Sequence, residues 1–494
     1  MNEKLEQLKS AILSGQVPQL VLSTISLALD ERASDIHIEP GVATVRIRYR
    51  VDGVLRLIVE YPLNMHPAVV SRIKIMSNLK IDEQRIPQDG RSQVTTRDGR
   101  EMDLRISTLP TVSGEKIVMR IQDKSRAIPT LEALGLAGNS LKYLKAGLLD
   151  PNGIILTSGP TGSGKTTTLY ACLNILNTAD VNILTIEDPV EIELPGLSQS
   201  QVHPDIDYTF ATGLRAALRQ DPDIVMVGEI RDRETVDVAI EASLTGHLVL
   251  STIHTNSATE TLTRIRNMDV PPFLMASTIN TIIAQRLVRK LCPDCKVATP
   301  LAALAEANPE LPTIIANAYS KIHASELANY PNLPQKLETV YQPKGCEKCD
   351  QVGYFGRLGL YEVMDLNNAI REAILDDKTS LEIEELAKEH GMVTLEQAGL
   401  IKVALGETSV EEVYRVARSE MNETKADQAE VAKQESTPVV PVVQATPAAP
   451  IVPAIDPVLP PISSSVGVTQ PVATTLEVTP PVQPQVASNP LPLS

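Results

Sequence analysis

The sequence predicts an α/β fold in which a small α+β domain precedes a parallel sheet with crossover helices. Between residues 129 and 290, short β-branched apolar runs alternate with helical patterns, which is typical of a parallel sheet. Between residues 34 and 123, apolar and polar residues alternate with a period of two, as in half-buried strands. The chain of 494 residues is too long for one domain, since domains usually hold ~100–200 residues.

The composition excludes several classes of protein. Lys and Arg number 45 against 61 Asp and Glu, so with a formal net charge of −16 the overall field does not attract nucleic acid. Aromatic residues make up 3% of the chain, which disfavours a surface that stacks bases. The first residues lack the apolar stretch of a secretory signal, and no run approaches the ~18 apolar residues that span a bilayer. We therefore expect a cytoplasmic or peripheral membrane protein.

The first segment, residues 1–33, is predicted to be helical. Apolar residues recur there near a spacing of 3.6, and Pro18 interrupts the run. Proline breaks helices because it lacks an amide hydrogen and its ring collides with the preceding turn. We therefore expect helical structure on both sides of this proline, ahead of the first strand.

Residues 34–125 are predicted to form the small α+β domain. From position 45 to position 51, apolar residues alternate with three arginines, which predicts a half-buried strand with an arginine face. The pairs Asp52-Gly53 and Asp98-Gly99 are typical of the tight turns in β-hairpins. A helix rich in Ile and Met is expected around residues 67–79.

Residues 126–290 are predicted to be the α/β core. Short apolar runs bounded by turn residues predict its strands, at residues 153–157, 183–186, 224–227 and 248–253. Helical patterns fill the intervals between these runs. Each helix is therefore expected to cross over from one parallel strand to the next.

Three further segments follow the core. Residues 291–358 hold two cysteine pairs in irregular sequence, and residues 359–421 have the apolar periodicity of helices, with Gly391 and Gly406 as predicted stops. Residues 422–494 are predicted to be a disordered tail, since proline recurs every few residues from position 438 onward. Such a tail is either a linker or a docking segment for a partner.

The most specific motif is a phosphate loop, which matches G-x-x-x-x-G-K-[S/T] at every fixed position. Its glycines let backbone N–H groups turn toward phosphate oxygens, Lys165 brings a positive charge, and the Thr166 hydroxyl can bind Mg²⁺. A strand is predicted before the loop and a helix after it, as phosphate binding requires. The residues predicted to bind the nucleotide are Gly159, Pro160, Thr161, Gly162, Ser163, Gly164, Lys165, Thr166 and Thr167.

Acids and histidines are expected at the ends of neighbouring strands. Glu187 and Glu229 each end an apolar run, which places them where α/β sheets bind ligands and where an acid can hold Mg²⁺ or orient water. His247 and His254 flank the run at 248–253, and the position of His254 in the same sheet favours it as a sensor of the terminal phosphate. The alternatives are solvated strand ends for the acids and structural roles for the histidines.

Four of the five cysteines form two C-x-x-C pairs, Cys292 with Cys295 and Cys346 with Cys349. Four thiolates at this local spacing are typical of a closed structural Zn²⁺ site, although the interval between the pairs is longer than in compact zinc ribbons. A redox site is the alternative, but it would need only one pair. The fifth cysteine, Cys172, is predicted to be a core residue.

Taken together, these motifs resemble those of the assembly ATPases of type II secretion and type IV pilus systems. The resemblance covers about residues 30–420 and depends on several separate motifs in the family's order. They are residues 33–40 (ASDIHIEP), 85–91 (RIPQDGR) and 103–108 (DLRIST), the phosphate loop, residues 187–191 (EDPVE), Gly228-Glu229, the segment 245–254 and the four cysteines.

The resemblance implies a RecA-like P-loop domain after a PAS-like small domain, with ATP bound between them in a hexamer. It implies that Glu187 and Glu229 share Mg²⁺ coordination and water activation, without assigning either task to one acid. It also implies that His254 senses the γ-phosphate with support from His247. The small domain would supply arginine fingers in trans, for which Arg91 and Arg105 are the predicted residues and Arg85 is a weaker one. The four cysteines would bind Zn²⁺.

The implied function is ATP hydrolysis that drives assembly of a type IV pilus or of a type II secretion pseudopilus. The implied partners are an inner-membrane platform protein and associated assembly proteins on the cytoplasmic side, through which the protein would associate with the membrane. The cysteine quartet favours assembly over retraction, because the retraction branch typically lacks it.

Two other functions remain compatible with a phosphate loop. A nucleic-acid translocase or packaging motor would share the loop and the ring, but the acidic charge and the few aromatic residues count against it, so we expect no nucleic-acid partner. A nucleotide-sensing scaffold without turnover would not need both acids, both histidines and the arginines together.

Overall fold

A computed structural model describes residues 3–95, 101–123, 127–306 and 308–417. These residues form an antiparallel sheet, a mostly parallel sheet and a short two-stranded sheet. The predicted tail at 422–494 and the predicted turn at Asp98-Gly99 lie outside the described residues. Within the described ranges, no helix is both long enough and apolar enough to cross a membrane.

The small domain is an antiparallel sheet with helices packed against it. Its described helices are α1 (Glu3–Leu13), α2 (Val17–Asp30) and α3 (His66–Met76). Its described strands are β1 (Asp35–Pro40), β2 (Thr44–Val51), β3 (Val54–Pro62), β4 (Gln88–Thr95), β5 (Glu101–Thr111) and β6 (Gly114–Asp123). Their order across the sheet is β3-β2-β1-β6-β5-β4, so β1 pairs with β6 and brings the two halves of the domain together.

The predicted hairpin at Asp52-Gly53 is confirmed. Both residues have positive φ angles, 48° and 85°, which is the backbone that a tight hairpin turn requires, and Val51 pairs with Val54 across it. The apolar residues of β2 are buried, whereas its arginines are partly or fully exposed. The alternation predicted for this strand is therefore also confirmed.

A buried ion pair joins α3 to the sheet. The ammonium of Lys74, which is fully buried, donates to the Glu115 carboxylate on β6 at 2.8 Å and to the backbone oxygen of Glu83 at 2.7 Å. Beside it, the His66 ring is hydrogen-bonded to the Tyr61 hydroxyl and to the backbone oxygen of Glu115. These contacts hold the loop between α3 and β4 against the sheet that carries the predicted arginines.

The α/β core contains the second sheet, whose strand order is β15-β12-β7-β11-β10-β8-β9 in the described residues. Its strands are β7 (Gly153–Ser158), β8 (Ile183–Glu187), β9 (Ser198–Gln201), β10 (Ile224–Val227), β11 (Leu248–Ile253) and β12 (Ile279–Leu291). Its helices are α4 (Gly138–Leu148), α5 (Lys165–Leu176), α6 (Phe210–Ala217), α7 (Arg233–Leu244), α8 (Ala258–Arg266) and α9 (Pro272–Thr278).

The remaining elements follow the first cysteine pair. They are β13 (Val297–Pro300), α10 (Leu311–Ser320), α11 (Ala324–Leu327), β14 (Thr339–Gln342), β15 (Tyr354–Asp365), α12 (Asn368–Leu375), α13 (Ser380–Glu389), α14 (Leu395–Ala404) and α15 (Val410–Val416). Ile315 and Tyr319 of α10 are buried in the same hydrophobic cluster as Leu400 of α14. The residues between the cysteine pairs therefore pack against the C-terminal helices.

The four predicted core strands are present, but β9, β12 and β15 were not predicted. β12 pairs in parallel with β7 and antiparallel with β15. Residues 359–365, predicted as part of the helical segment, belong to β15. Both strands are buried on two faces along most of their length, so they lack the alternation of a half-buried strand and cannot be distinguished from buried helices by periodicity.

The small domain also contacts the segment after the second cysteine pair. The guanidinium of Arg32 lies 3.9 Å from the centre of the Phe355 ring. In the hairpin turn, the Asp52 carboxylate accepts a hydrogen bond from the Gly356 N–H at 3.0 Å. These two contacts place the hairpin turn and the end of α2 beside the start of β15.

Replacing Lys74 by methionine is expected to destabilise the small domain by about 3 kcal/mol, because it leaves the Glu115 carboxylate buried without its partner. Native-state hydrogen exchange of the β1 and β6 amides measures this local free energy in the full chain. The control is Lys145→Met in the exposed pair with Glu132, which should change stability by less than about 0.5 kcal/mol. Equal protection of the small domain in the Lys74 variant and in wild type would contradict the prediction.

Candidate nucleotide site

The phosphate loop connects β7 to α5 at the carboxyl edge of the parallel sheet. Its three glycines, Gly159, Gly162 and Gly164, have φ angles of 145°, 80° and 91°, in the region that favours glycine. α5 begins at Lys165, so the helix N-terminus lies directly at the loop, as predicted. The loop amides and the positive end of the helix dipole therefore meet at one place.

The loop has the features of an anion cradle. The Lys165 ammonium is buried and donates to the backbone oxygens of Gly159 and Pro160, at 2.7 and 3.3 Å. Burial lowers the pKa of Lys165, the Glu229 carboxylate opposes that shift, and the Arg286 guanidinium adds to it. The Ser163 hydroxyl oxygen is buried and has no hydrogen-bond partner among the described residues. A buried cation and a free hydroxyl at a helix N-terminus fit a bound phosphate group.

The floor of the loop is formed by Gln285 of β12. A Cβ atom at Gly159 would lie 2.6 Å from the Gln285 backbone oxygen, and one at Gly164 would lie 2.8 Å from its side-chain nitrogen. The side-chain oxygen of Gln285 accepts a hydrogen bond from the Thr168 hydroxyl of α5 at 2.8 Å. The two glycines are therefore required by space as well as by backbone conformation.

Glu229 and His254 lie together beside the loop. Glu229 follows β10 and His254 follows β11, and because these strands are parallel, both residues lie at the same edge of the sheet as Lys165. The His254 ring nitrogen Nε2 is 3.4 Å from a Glu229 carboxylate oxygen. Glu229 also forms an ion pair with Arg231, a residue that the sequence analysis did not single out. This edge therefore combines a cation, an acid and an imidazole.

Glu187 has a different environment from Glu229. It is buried, and its carboxylate accepts hydrogen bonds from the hydroxyls of Tyr170 and Thr185, at 2.5 and 2.6 Å, and from the Gln199 amide at 3.0 Å. The Tyr170 oxygen in turn accepts from the Glu191 N–H at 3.2 Å. Glu187 is thus held by donors on three sides and anchors the acidic loop that follows β8.

His247 is not brought to this edge. It precedes β11, so it lies at the opposite end of that strand from His254. Its ring nitrogen Nδ1 is hydrogen-bonded to the backbone oxygen of Ala242 at 2.9 Å, which ties the strand to the end of α7. In this structure His247 therefore makes structural contacts and none with the phosphate loop.

The predicted arginines face a cleft between the small domain and the acidic loop. Arg91 of β4 pairs with Arg105 of β5, and Arg105 pairs with Arg120 of β6. All three line a cleft of about 560 Å³ whose opposite wall includes Asp188 and Pro189. Burial lowers the pKa of Arg105, and Glu191 opposes this shift from 3.5 Å away while the other two arginines add to it. The cleft has no lining residue from the phosphate loop of the same chain.

Arg120 is the cleft residue that the sequence analysis missed. It lies on the face of β6 opposite to the buried Ile117 and Met119, as the period of two predicts for a polar position. The sequence analysis did not predict that β5 pairs with β6, and this pairing is what places Arg120 next to Arg105. Arg85, by contrast, is exposed and paired with Glu83.

The four predicted cysteines come together. Their sulfur atoms all lie within 4.8 Å of one another, although the two pairs are far apart in the sequence. The Cys349 sulfur accepts hydrogen bonds from the backbone N–H groups of Cys346 and Gly353, at 3.2 and 3.1 Å. Four clustered thiols with N–H donors to sulfur match the donor set of a structural Zn²⁺ site. Cys172 is buried in the core, as predicted.

Residues 12–415 match the family model described as type II/IV secretion system protein. The chain is 45% identical over 415 residues to type II secretion system protein E of Aeromonas hydrophila, covering 84% of this chain and 78% of that protein. It is 42% identical over 413 residues to the type IV pilus assembly ATPase PilB of Myxococcus xanthus strain DK1622, covering 83% and 69%.

Solved structures share this fold. The X-ray structure of the Legionella pneumophila ATPase DotB has a TM-score of 0.56 at 21% identity, covering 80% of this chain and 94% of that one. The crystal structure of the pilus retraction motor PilT with bound ADP has a TM-score of 0.51 at 25% identity, covering 81% and 98%.

Replacing Gly159 by alanine is expected to weaken ATP binding by roughly tenfold or more, because the new methyl group would collide with the Gln285 backbone oxygen at a positive φ angle. Titration calorimetry with a slowly hydrolysed ATP analogue measures the change in Kd. The control is Gly246→Ala, which imposes similar backbone strain at φ 104° in open space, away from the loop. If both variants bind the analogue like wild type, the loop does not depend on this contact.

Proposed function

The chain belongs to the type II/IV secretion system protein family and is an ATP hydrolase of the P-loop type, and from this premise we propose that it is a hexameric motor for assembly of a type IV pilus or a type II secretion pseudopilus. The observation that carries the proposal is the meeting of Lys165, Glu229 and His254 at one edge of the parallel sheet. ATP turnover there would be coupled to an inner-membrane platform protein.

The residues around the loop suit hydrolysis of the γ-phosphate. Lys165 would release its two backbone acceptors to bind phosphate, and Thr166 would bind Mg²⁺ together with Glu229. Bound Mg²⁺ would neutralise charge on the phosphates. We propose that Glu229, next to His254, is the acid closest to the reacting phosphate, and that Glu187 keeps the acidic loop in place and supports water orientation from behind it. His254 would sense the γ-phosphate through its contact with Glu229.

The arginine fingers are proposed to act between subunits. Arg91 and Arg105, together with Arg120, line a cleft that faces the acidic loop and not the phosphate loop of their own chain. A neighbouring copy in a ring would place its own loop against this cationic row, where the arginines would stabilise charge on the phosphoryl group. Opening and closing of that interface with the nucleotide state would be the power stroke.

The finer features of the proposal follow from the family. We propose that the small domain is PAS-like, in keeping with its antiparallel sheet and flanking helices. We also propose that the protein is cytoplasmic and reaches the inner membrane through the platform protein and associated assembly proteins. Cys292, Cys295, Cys346 and Cys349 would hold a structural Zn²⁺ ion that locks the segment between β12 and β15.

ATP turnover of the full chain is expected to rise when the cytoplasmic domain of the platform protein is added, and to stay at the basal rate with single-stranded DNA.

Glu229→Gln should lower kcat by roughly 100-fold or more with ATP still bound, and Lys165→Ala should abolish turnover. The rate of phosphate release measures turnover in each of these experiments. The control is Arg233→Ala, an exposed residue of α7 that pairs with Asp237.

Two results would contradict this proposal. Stimulation by DNA and not by the platform protein would favour a nucleic-acid translocase. Wild-type turnover in the Lys165→Ala variant would show that hydrolysis occurs elsewhere.

Cys295→Ser is expected to lose the bound zinc, which should be about one ion per chain in the wild type, since a structural site needs its four thiolates. Metal analysis of the purified chain by inductively coupled plasma mass spectrometry measures the ratio. Cys172→Ala is the control, because Cys172 is buried far from the quartet and should keep the zinc. Zinc retained by the Cys295 variant, or absent from the wild type, would contradict the assignment.

A further inference from the structure

The segment that carries His254 is held on its far side by two buried charged residues that the mechanism above does not use. This segment, residues 254–258, connects β11 to α8 and is called here the sensor loop. Its first residue, His254, contacts Glu229. Farther along, Asn256 is held by Arg286 of β12 and Ala258 by Glu362 of β15.

Arg286 binds the sensor loop through its guanidinium group. One terminal nitrogen donates to the backbone oxygen and to the side-chain oxygen of Asn256, at 3.0 and 3.1 Å, and the other donates to the backbone oxygen of Gln285 at 3.0 Å. Arg286 is 8% exposed, and among the described residues no carboxylate lies within ion-pair distance of it. Burial lowers the pKa of Arg286, and the carboxylates of Glu362 and Glu260 oppose that shift, so the guanidinium is held between neutral acceptors on the sensor loop and nearby negative charge.

Glu362 binds the same loop and one other element. One carboxylate oxygen accepts from the Ala258 N–H at the start of α8, at 2.7 Å, and the other accepts from the Leu395 N–H at the start of α14, at 3.1 Å. Burial raises the pKa of Glu362 to about 7, while these two N–H groups act in the opposite direction. The side chain therefore connects two helix N-termini, one from the sensor loop and one from the C-terminal helices.

β12 and β15 bring these two residues side by side beneath the loop. Ala284, two residues before Arg286, pairs with Glu362, and the same Ala284 pairs with Ser158 at the end of β7. The strand that forms the floor of the phosphate loop therefore also supplies the residue that holds Asn256. The positions of Lys165 and His254 are thus set by one strand.

We propose that Arg286 and Glu362 are positioning residues for His254: they fix the sensor loop so that the imidazole remains against Glu229, and they link its position to α14. The inference deepens the proposed function, because it assigns the residues through which the C-terminal helices influence the phosphate sensor. Arg286 and Glu362 act on turnover only through His254 and do not contact the nucleotide.

The test is a double-mutant cycle in the full chain, with ATP turnover as the readout. Glu362→Gln is nearly isosteric but can accept only one of the two N–H groups, because its amide nitrogen is a donor. We expect Glu362→Gln to lower kcat by roughly tenfold with KM for ATP within about twofold of wild type. In the His254→Ala background the same substitution should have less than about a twofold effect, since the residue that it positions is absent.

A matched control separates positioning from general loss of packing. Glu412 of α15 is also a buried carboxylate, and it accepts the Arg289 N–H of β12 at 2.8 Å, but it does not contact the sensor loop. Glu412→Gln should change kcat equally in the wild-type and His254→Ala backgrounds. Arg286→Lys is a second variant in case Glu362→Gln folds poorly. Lysine keeps the positive charge but cannot bind both Asn256 oxygens, so this variant should show the same dependence on His254.

Three results would overturn the inference. The first is that Glu362→Gln or Arg286→Lys lowers kcat by the same factor in the wild-type and His254→Ala backgrounds. The second is the same dependence on His254 for Glu412→Gln. The third is a His254→Ala variant that turns over ATP at the wild-type rate, which would also remove the proposed sensor role, whereas the first two leave the ATPase assignment intact.

Discussion

The close approach of the phosphate loop to β12 is the contact on which the rest of the site depends. Gly159 lies so near the Gln285 backbone that even a methyl group has no room, and this fixes the height of the loop above the sheet. Because β12 pairs with β7 on one side and with β15 on the other, three consecutive residues of β12 have three tasks: Ala284 pairs with β15, Gln285 forms the floor of the phosphate loop, and Arg286 holds the sensor loop. The positions of the phosphate loop and the sensor loop are therefore set by the backbone pairing of β12 with its two neighbouring strands.

The charges around the phosphate loop favour an anion. Lys165 is buried, its pKa is lowered by that burial, and Arg286 lies near enough to lower it further. Glu229 compensates only in part, since it is shared with Arg231 and His254. The Lys165 ammonium, a buried cation with backbone acceptors in place of a full counter-ion, is costly without ligand, and a bound polyphosphate relieves that cost. Occupancy by nucleotide is thus expected to stabilise the sheet edge as a whole.

The sequence predicted what is local and missed what depends on pairing between distant segments. The phosphate loop, the hairpin at Asp52-Gly53 and each C-x-x-C pair are defined by short spacings, and the structure places each as expected. The meeting of the two cysteine pairs was predicted from the four ligands that zinc requires. β12 and β15 were missed because a buried apolar run has no period that separates strand from helix. Arg120 and Arg286 were missed for a related reason, because their roles depend on which strands lie next to them. His247 was grouped with His254 because the two residues flank the same strand, although the two ends of a strand lie at opposite edges of the sheet.

The cationic row of the small domain, formed by Arg91, Arg105 and Arg120, supports the proposal that a second subunit completes the site. Asp35 accepts from Arg120 at 3.0 Å and lies 3.5 Å from Arg50, so the acid neutralises the inner end of the row. Arg105 lies 3.5 Å from the Glu191 carboxylate of the acidic loop. The row therefore faces Asp188 across a cleft that no residue of the chain's own phosphate loop lines. In the proposed ring, an anion held by a second copy would lie against these arginines, and their positive charges would stabilise it.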